Sequence, residues 1–284
     1  MNPIALRATV LNIAGNTFLF ILKLAAGITS GSIALISDAL NSLTDIVSSI
    51  AIFICVRISD KKADEDHPFG HARAEPLAGL IVAIFAGILG FELIRSSVAR
   101  LLAGDITVEI NAYILAVPII TMAVKLVMAR YFKRTAKAVN SPAIMASAVD
   151  SMLDVGISAA ALIGIVGVSL GYPVFDPAAG LFISFWIIYT GYKIGVENID
   201  YLMGKAPSKE LLEEIRSAAL AVTGVGAVNT VRAHYVGNFI HVEIHVEVDK
   251  NMKTKDSHAV SDMVEDSLDK IEAIDKSFVH IDPV

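Results

Sequence analysis

The feature that most constrains this chain is the spacing of its apolar residues. Up to about Tyr201 they fall in blocks of roughly 20, the helix length needed to cross a hydrocarbon core of about 30 Å. Six such blocks are expected, at about 9–28, 33–58, 74–98, 110–131, 143–170 and 177–199. Lipid offers no hydrogen-bond partners, so a segment that spans it must satisfy its own backbone, and each block is read as a helix. Only 18% of the 284 residues are charged, against about a quarter in soluble domains. From about Lys205 onward the pattern turns charged and short-period. The fold class is therefore a membrane α-helical bundle over residues 1–204 with a small α+β domain over 205–284.

Several classes are excluded early. A formal charge of −6 with no basic stripe argues against a nucleic-acid partner. The single cysteine, Cys55, excludes an intramolecular disulfide and argues against a Cys-rich metal site. The first apolar stretch is too long for a cleavable signal and lacks a small-residue cleavage site. No nucleophile–base pair, phosphate loop or cofactor motif suggests an enzyme.

Orientation follows from the loops. The turns "TSGS" and "GYPVFD" carry no Lys or Arg, whereas the second–third connection holds Arg57, Lys61, Lys62 and Arg73. The fourth–fifth holds Arg130, Lys133, Arg134 and Lys137; Arg95 and Arg100 dissent but are outnumbered. The positive-inside rule then puts both termini and the soluble tail in the cytoplasm. The expected location is the cytoplasmic membrane of a prokaryote.

Inside the spans, the second block carries Asp38, Asn41 and Asp45 in "SDALNSLTD", and the fifth carries Asp150 and Asp154 in "SAVDSMLDVG". An ionisable residue at the centre of a membrane helix costs on the order of 3 kcal/mol, which makes it a functional candidate. Asn41/Asp45 and Asp150/Asp154 are each spaced i,i+4, so each pair presents oxygens from one helical face. If the faces meet, carboxylates crowd a low-dielectric region and need a counter-charge. No Lys or Arg lies at comparable depth in these two helices, which makes a divalent metal ion the economical choice. Asp38 lies on a similar face but can equally serve as a cap or helix–helix bond.

Two further constellations lie outside the spans. In "DEDHPFGHARAE", Asp64, His67 and His71 offer one carboxylate and two imidazoles, a set suited to a transition metal. In the tail, "KELLEEIRSAALAV" has helical spacing and "VNTVRAHYV" and "NFIHVEIHVEVD" flank a Gly-Asn turn as a hairpin. "TKDSHAVSDMVEDSLDKI" is a second helix and "SFVHIDP" a last strand, giving an α-β-β-α-β order. Alternation in the second strand puts Ile240, Val242, Ile244, Val246 and Val248 on one face and His241, Glu243 and His245 on the other.

These motifs carry a resemblance. "SGSIALISDALNSLTD", "DEDHPFGHARAE" and "NSPAIMASAVDSMLD" in a chain of this organisation resemble the cation diffusion facilitators, over almost the whole length. The resemblance implies a homodimer in the lipid bilayer that exports divalent metal from the cytoplasm, usually against protons. It implies a transport site of Asn41, Asp45, Asp150 and Asp154, and a ferredoxin-like tail that dimerises and senses metal. Zinc-transporting relatives usually place histidine where Asp150 stands. An all-oxygen set suits a harder ion, and it is similar to that of manganese-exporting members. Mn²⁺ is the expected cargo, with Fe²⁺ the nearest rival, since the motif also resembles iron-handling magnetosome members, and Zn²⁺ less favoured. A membrane-anchored metal sensor or scaffold is the alternative from another class.

In the tail, His245, His258, His280 and Asp282 match the family's usual ligands, while Val228 and Asn229 stand where zinc-handling relatives have a further histidine. His234 is a possible substitute. The family's inter-subunit contact through Arg73 meets Gly204 instead of an acid, with Asp200 and Glu197 as open alternatives.

Overall fold

The computed structural model describes residues 3–59, 61, 63–104, 108–139, 142–237 and 239–284. Lys62 of the basic loop, Asn140 and Ser141 of "NSPAI", and Asn238 of the hairpin turn lie outside the described residues. Six long helices come first: α1 (Pro3–Ser30), α2 (Ile33–Ser59), α3 (Ala74–Ala103), α4 (Ala112–Val139), α5 (Pro142–Ser169) and α6 (Phe175–Leu202). All six contain stretches long and apolar enough to cross a membrane. The tail adds α7 (Lys209–Leu220), β1 (Ala227–Val236), β2 (Phe239–Val248), α8 (Thr254–Leu268) and β3 (Ile274–Pro283).

The spans match the apolar blocks closely, except that α4 continues eight residues beyond the expected end at Tyr131. Its extension carries Lys133, Arg134 and Lys137, good helix formers that need not lie in lipid. At its start, Asn111 accepts the Ile114 N–H at 3.0 Å and caps the helix.

The chain forms two compact units: Met1–Phe53 with Ile81–Gly195, and Ile54–Leu80 with Val196–Val284. In the first, Leu35 of α2, Leu93 of α3, Val117 of α4, Ile157 and Ile165 of α5, and Ile183 of α6 are buried together. Ile21, Ile84, Ile88, Phe91 and Phe185 point outward, as lipid-facing residues of a membrane bundle should. Small residues let α3 and α6 approach: a Cβ on Gly191 would stand 2.9 Å from the Ala86 Cβ, closer than packing tolerates.

The α1–α2 turn is fixed from two sides. Gly31 adopts φ 70°, the left-handed region that glycine enters without penalty, and its carbonyl accepts from the Arg100 guanidinium. Asp176 of α6, fully buried, accepts from the Ile33 N–H at 2.9 Å, the Ala34 N–H at 3.3 Å and the Ser32 hydroxyl. A carboxylate there satisfies orphan donors at the start of α2 and sits at the positive end of its dipole.

In the second unit, Ser208 caps α7, accepting the Leu211 N–H at 3.3 Å. The sheet runs in the order β1-β2-β3, with β1–β2 antiparallel and β2–β3 parallel through the α8 crossover. Ile240, Val242, Ile244, Val246 and Val248 are buried against Ile215 and Ala219 of α7 and Val260, Val264 and Leu268 of α8. The opposite face differs from expectation at one position. His241 is only 6% exposed, because the rings of Phe69 and Phe278 flank it at 6.0 and 6.3 Å.

We predict that Asp176→Ala destabilises the bundle by about 1–3 kcal/mol, the usual cost of leaving buried donors unpaired. The measurement is thermal unfolding in detergent. A midpoint equal to that of the parent chain would remove the cap from the argument.

Candidate metal centre

On α2, Asp38, Asn41, Ser42 and Asp45 are spaced i, i+3, i+4 and i+7 and form one stripe. Asp154 and Ser158 of α5, again i,i+4, meet it. The Asn41 amide donates to Asp154 Oδ1 at 2.9 Å, and the Ser158 hydroxyl donates to Asp38 Oδ2 at 2.8 Å. The second and fifth spans therefore join where their polar stripes face each other.

Two lysines on neighbouring helices, outside the two spans considered from sequence, also face these carboxylates. Lys23 of α1, wholly buried, bonds Asp38 Oδ1 at 2.7 Å and the Ser42 hydroxyl at 3.0 Å. Lys125 of α4, 1% exposed, donates to Asp154 Oδ2 and to Asn16 Oδ1 of α1. Its Nζ also lies 3.8 Å from Asp45 Oδ2, a buried oxygen with no hydrogen-bond partner among the described residues. Inspecting α2 and α5 alone could not find these cations. The rule that flagged the aspartates applies equally to "FILKLAAG" and "TMAVKLVMA", where one lysine interrupts an apolar run. Asp176 and Asn16 were missed for the same reason: their partners lie on other helices.

The four expected transport residues are thus unequally placed. Asn41 and Asp154 touch, and Asp45 faces the same ammonium. Asp150, one turn before Asp154, is exposed on α5 and has no ion pair among the described residues. The oxygens of Asp45, Asp150 and Asp154 do not converge within 4.8 Å, whereas two other groups among the described residues do.

The first is Asp64, His67 and His71. Asp64 Oδ1 accepts the His67 N–H at 2.7 Å, closing a turn that brings His67 Nδ1 to 3.3 Å and His71 Nε2 to 3.4 Å from the carboxylate. That backbone bond, helped by the two imidazoles, holds the Asp64 carboxyl below its ordinary range. The second is His245, His280 and Asp282. Parallel pairing sets His245 opposite His280, with Asp282 two residues on and its oxygens 3.5 and 3.3 Å from the two rings.

Asn229 donates to Asp282 Oδ2 at 3.1 Å and, ahead of the histidines, holds that carboxyl low. Asn229, at the start of β1, therefore reaches the group. His258 does not join it; it is exposed on α8 beside Asp262 at 3.6 Å. His234 turns instead toward His241, ring centroids 5.9 Å apart. Asp200 pairs with Lys205 at 3.6 Å, and Arg73 is exposed. Both histidine groups open on a cavity of about 1020 Å³ within the second unit.

A six-helix membrane protein with buried aspartates and exposed His/Asp triads is a protein built to handle cations. The chain belongs to the cation efflux family, the cation diffusion facilitators. Residues 9–203 match the model of the cation efflux transmembrane domain and 207–284 that of the cation efflux protein cytoplasmic domain. It is accordingly a multi-pass membrane transporter of divalent metal cations and not an enzyme. It is 36% identical over 275 residues, 97% of each chain, to the uncharacterized transporter MJ0449 of Methanocaldococcus jannaschii. It is 32% identical to the manganese efflux system protein MneS of Bacillus subtilis, covering 97% of this chain and 94% of that one. It is 31% identical to the magnetosome protein MamB of Magnetospira sp., covering 90% and 86%.

We predict that Lys23→Met alone destabilises the bundle by about 3–5 kcal/mol, because it strands the buried Asp38 charge. Adding Asp38→Leu should recover most of the loss. A loss in the double variant equal to the sum of the Lys23→Met and Asp38→Leu losses would show that the two residues act independently.

A second prediction concerns His241. Burial holds its imidazole below the ordinary value of 6.5, and Asp275 at 3.4 Å offsets only part of this against His234 and Lys276. Below that value the unfolded chain binds the proton more readily than the folded one. Tail stability is therefore full above it and falls as the pH drops toward the depressed folded value. Hydrogen exchange of β2 amides, corrected for intrinsic rate, should lose protection on acidification in the parent chain and less so in His241→Phe. Equal acid slopes would contradict the assignment.

Proposed function

We propose that the protein exports Mn²⁺ from the cytoplasm in exchange for protons, as a homodimer working by alternating access. The observation that supports this most is the donor set. Asn41 bonds Asp154, Asp45 faces the same ammonium, and Asp150 lies one turn away, so every candidate ligand is an oxygen. Oxygen ligands suit Mn²⁺, whereas imidazole ligands suit Zn²⁺. The Bacillus subtilis relative is a manganese efflux system protein, in keeping with this reading.

In this reading Asn41, Asp45, Asp150 and Asp154 hold the cargo. Protons arriving from outside compete for the same carboxylate oxygens and help expel the ion. The loop triad of Asp64, His67 and His71 and the tail triad of His245, His280 and Asp282 bind metal in the cytoplasm, with the tail site reporting its concentration. The basic loops support a topology with both termini cytoplasmic, in the cytoplasmic membrane of a prokaryote.

Purified protein in proteoliposomes, given Mn²⁺, Fe²⁺, Zn²⁺ or Co²⁺ with internal pH recorded, tests the reading. Saturable Mn²⁺ uptake with opposite proton movement is expected, and Asp154→Ala should abolish it. Zn²⁺ transport without Mn²⁺ transport would overturn the oxygen-donor argument. Fe²⁺ in preference to Mn²⁺ would replace the cargo while leaving the site intact.

A further inference from the structure

The Lys125 ammonium sits on the oxygens that the proposed transport site would use. It bonds Asp154 Oδ2, lies 3.8 Å from Asp45 Oδ2, and leaves Asp154 Oδ1 to the Asn41 amide. Three of the four proposed ligands are thus engaged with this cation or with each other. A divalent ion on Asp45 and Asp154 could not coexist with an ammonium about 4 Å away, since at an effective dielectric near 20 their repulsion far exceeds thermal energy.

The structure also offers somewhere for the ammonium to go. Lys125 Nζ is already bonded to Asn16 Oδ1 on α1, and Asn16 is steadied by its own bond to Asn12 Oδ1 at 3.2 Å. The side chain needs only to release the carboxylate and keep the amide. Lys23 has no such freedom: its ammonium bonds both Asp38 and Ser42, and Ser158 holds the other Asp38 oxygen.

We propose that Lys125 is a tethered counter-ion that trades places with the metal at Asp154, so that the carboxylate is compensated with or without cargo. The inference rests on the transport-site reading above and adds to it a role for a residue outside the ligand set. A carrier whose buried aspartates were bare after releasing metal would pay heavily to reorient. With the ammonium returned to Asp154, the return step proceeds without metal and the exchanged protons ride on the remaining carboxylates, Asp45 and Asp150. Lys125 also sets a threshold for entry: an incoming ion must displace a cation held nearby by covalent linkage, which favours divalent over monovalent ions.

The test uses the full-length protein with Mn²⁺ as the probe, measuring equilibrium binding in detergent, and net efflux and Mn²⁺–Mn²⁺ exchange in proteoliposomes. Lys125→Met should bind Mn²⁺ at least about tenfold tighter, having lost a competing cation. It should also keep exchange, in which the site moves loaded both ways, while losing net efflux. Asn16→Leu, which confines the ammonium to Asp154, should bind Mn²⁺ several-fold more weakly. Parent-like binding and net efflux in Lys125→Met would overturn the proposal, as would loss of both binding and exchange in a folded protein. If Lys125→Met does not fold, unchanged affinity in Asn16→Leu overturns it. Should Asp154→Ala bind and transport like the parent chain, it is the transport-site reading that fails, whatever the Lys125 variants do.

Discussion

The carboxylate of Asp154 is the point from which the bundle's polar interior is organised. A bare anion there would be prohibitive in a low-dielectric medium. One oxygen is met by the Asn41 amide of α2 and the other by the Lys125 ammonium of α4, which reaches on to Asn16 of α1. Four helices are tied together through one charged group. A pair of this kind adds little net stability compared with apolar packing, but breaking it is expensive. It therefore specifies how the helices must meet.

A second knot of the same kind lies along the α2 stripe, where Lys23, Asp38, Ser42 and Ser158 close on one another. With Asp176 capping α2 from α6, it secures the first half of that helix. The two knots differ in completeness. The Lys23 knot pairs both oxygens of Asp38, whereas the Lys125 knot leaves Asp45 Oδ2 without a hydrogen bond among the described residues. Asp38, Asp45 and Asp154 share two ammonium groups, which leaves Asp45 the least compensated of the three. Asp38, whose spacing left it between a place on the face of Asn41 and Asp45 and a cap or helix–helix bond, is bonded through one oxygen to Lys23 and through the other to Ser158.

In the tail the chemistry is arranged by strand register. Parallel pairing of β2 with β3 sets His245 across from His280, and the two-residue period of a strand returns Asp282 to the same face. The same alternation buries Ile240 through Val248 beneath the two helices, so one pattern builds both the core and the histidine face. Asn229 on the neighbouring strand completes the setting of Asp282.

The six spans and the α-β-β-α-β tail were legible in the chain itself. Hydropathy, strand alternation and helical spacing are local properties that each segment carries alone. The loop triad was legible for the same reason, since Asp64, His67 and His71 lie within one turn-rich stretch. The electrostatic partners were not. That Lys23 serves Asp38, that Lys125 rather than a residue of α2 or α5 answers Asp154, that Asp176 caps α2 and that His258 stands apart from His245 all depend on which helix faces which. A buried charge takes whatever partner packing brings within about 3 Å, and packing is a property of the assembled bundle. Sequence determined which groups needed a partner; only the tertiary structure decided which partner each received.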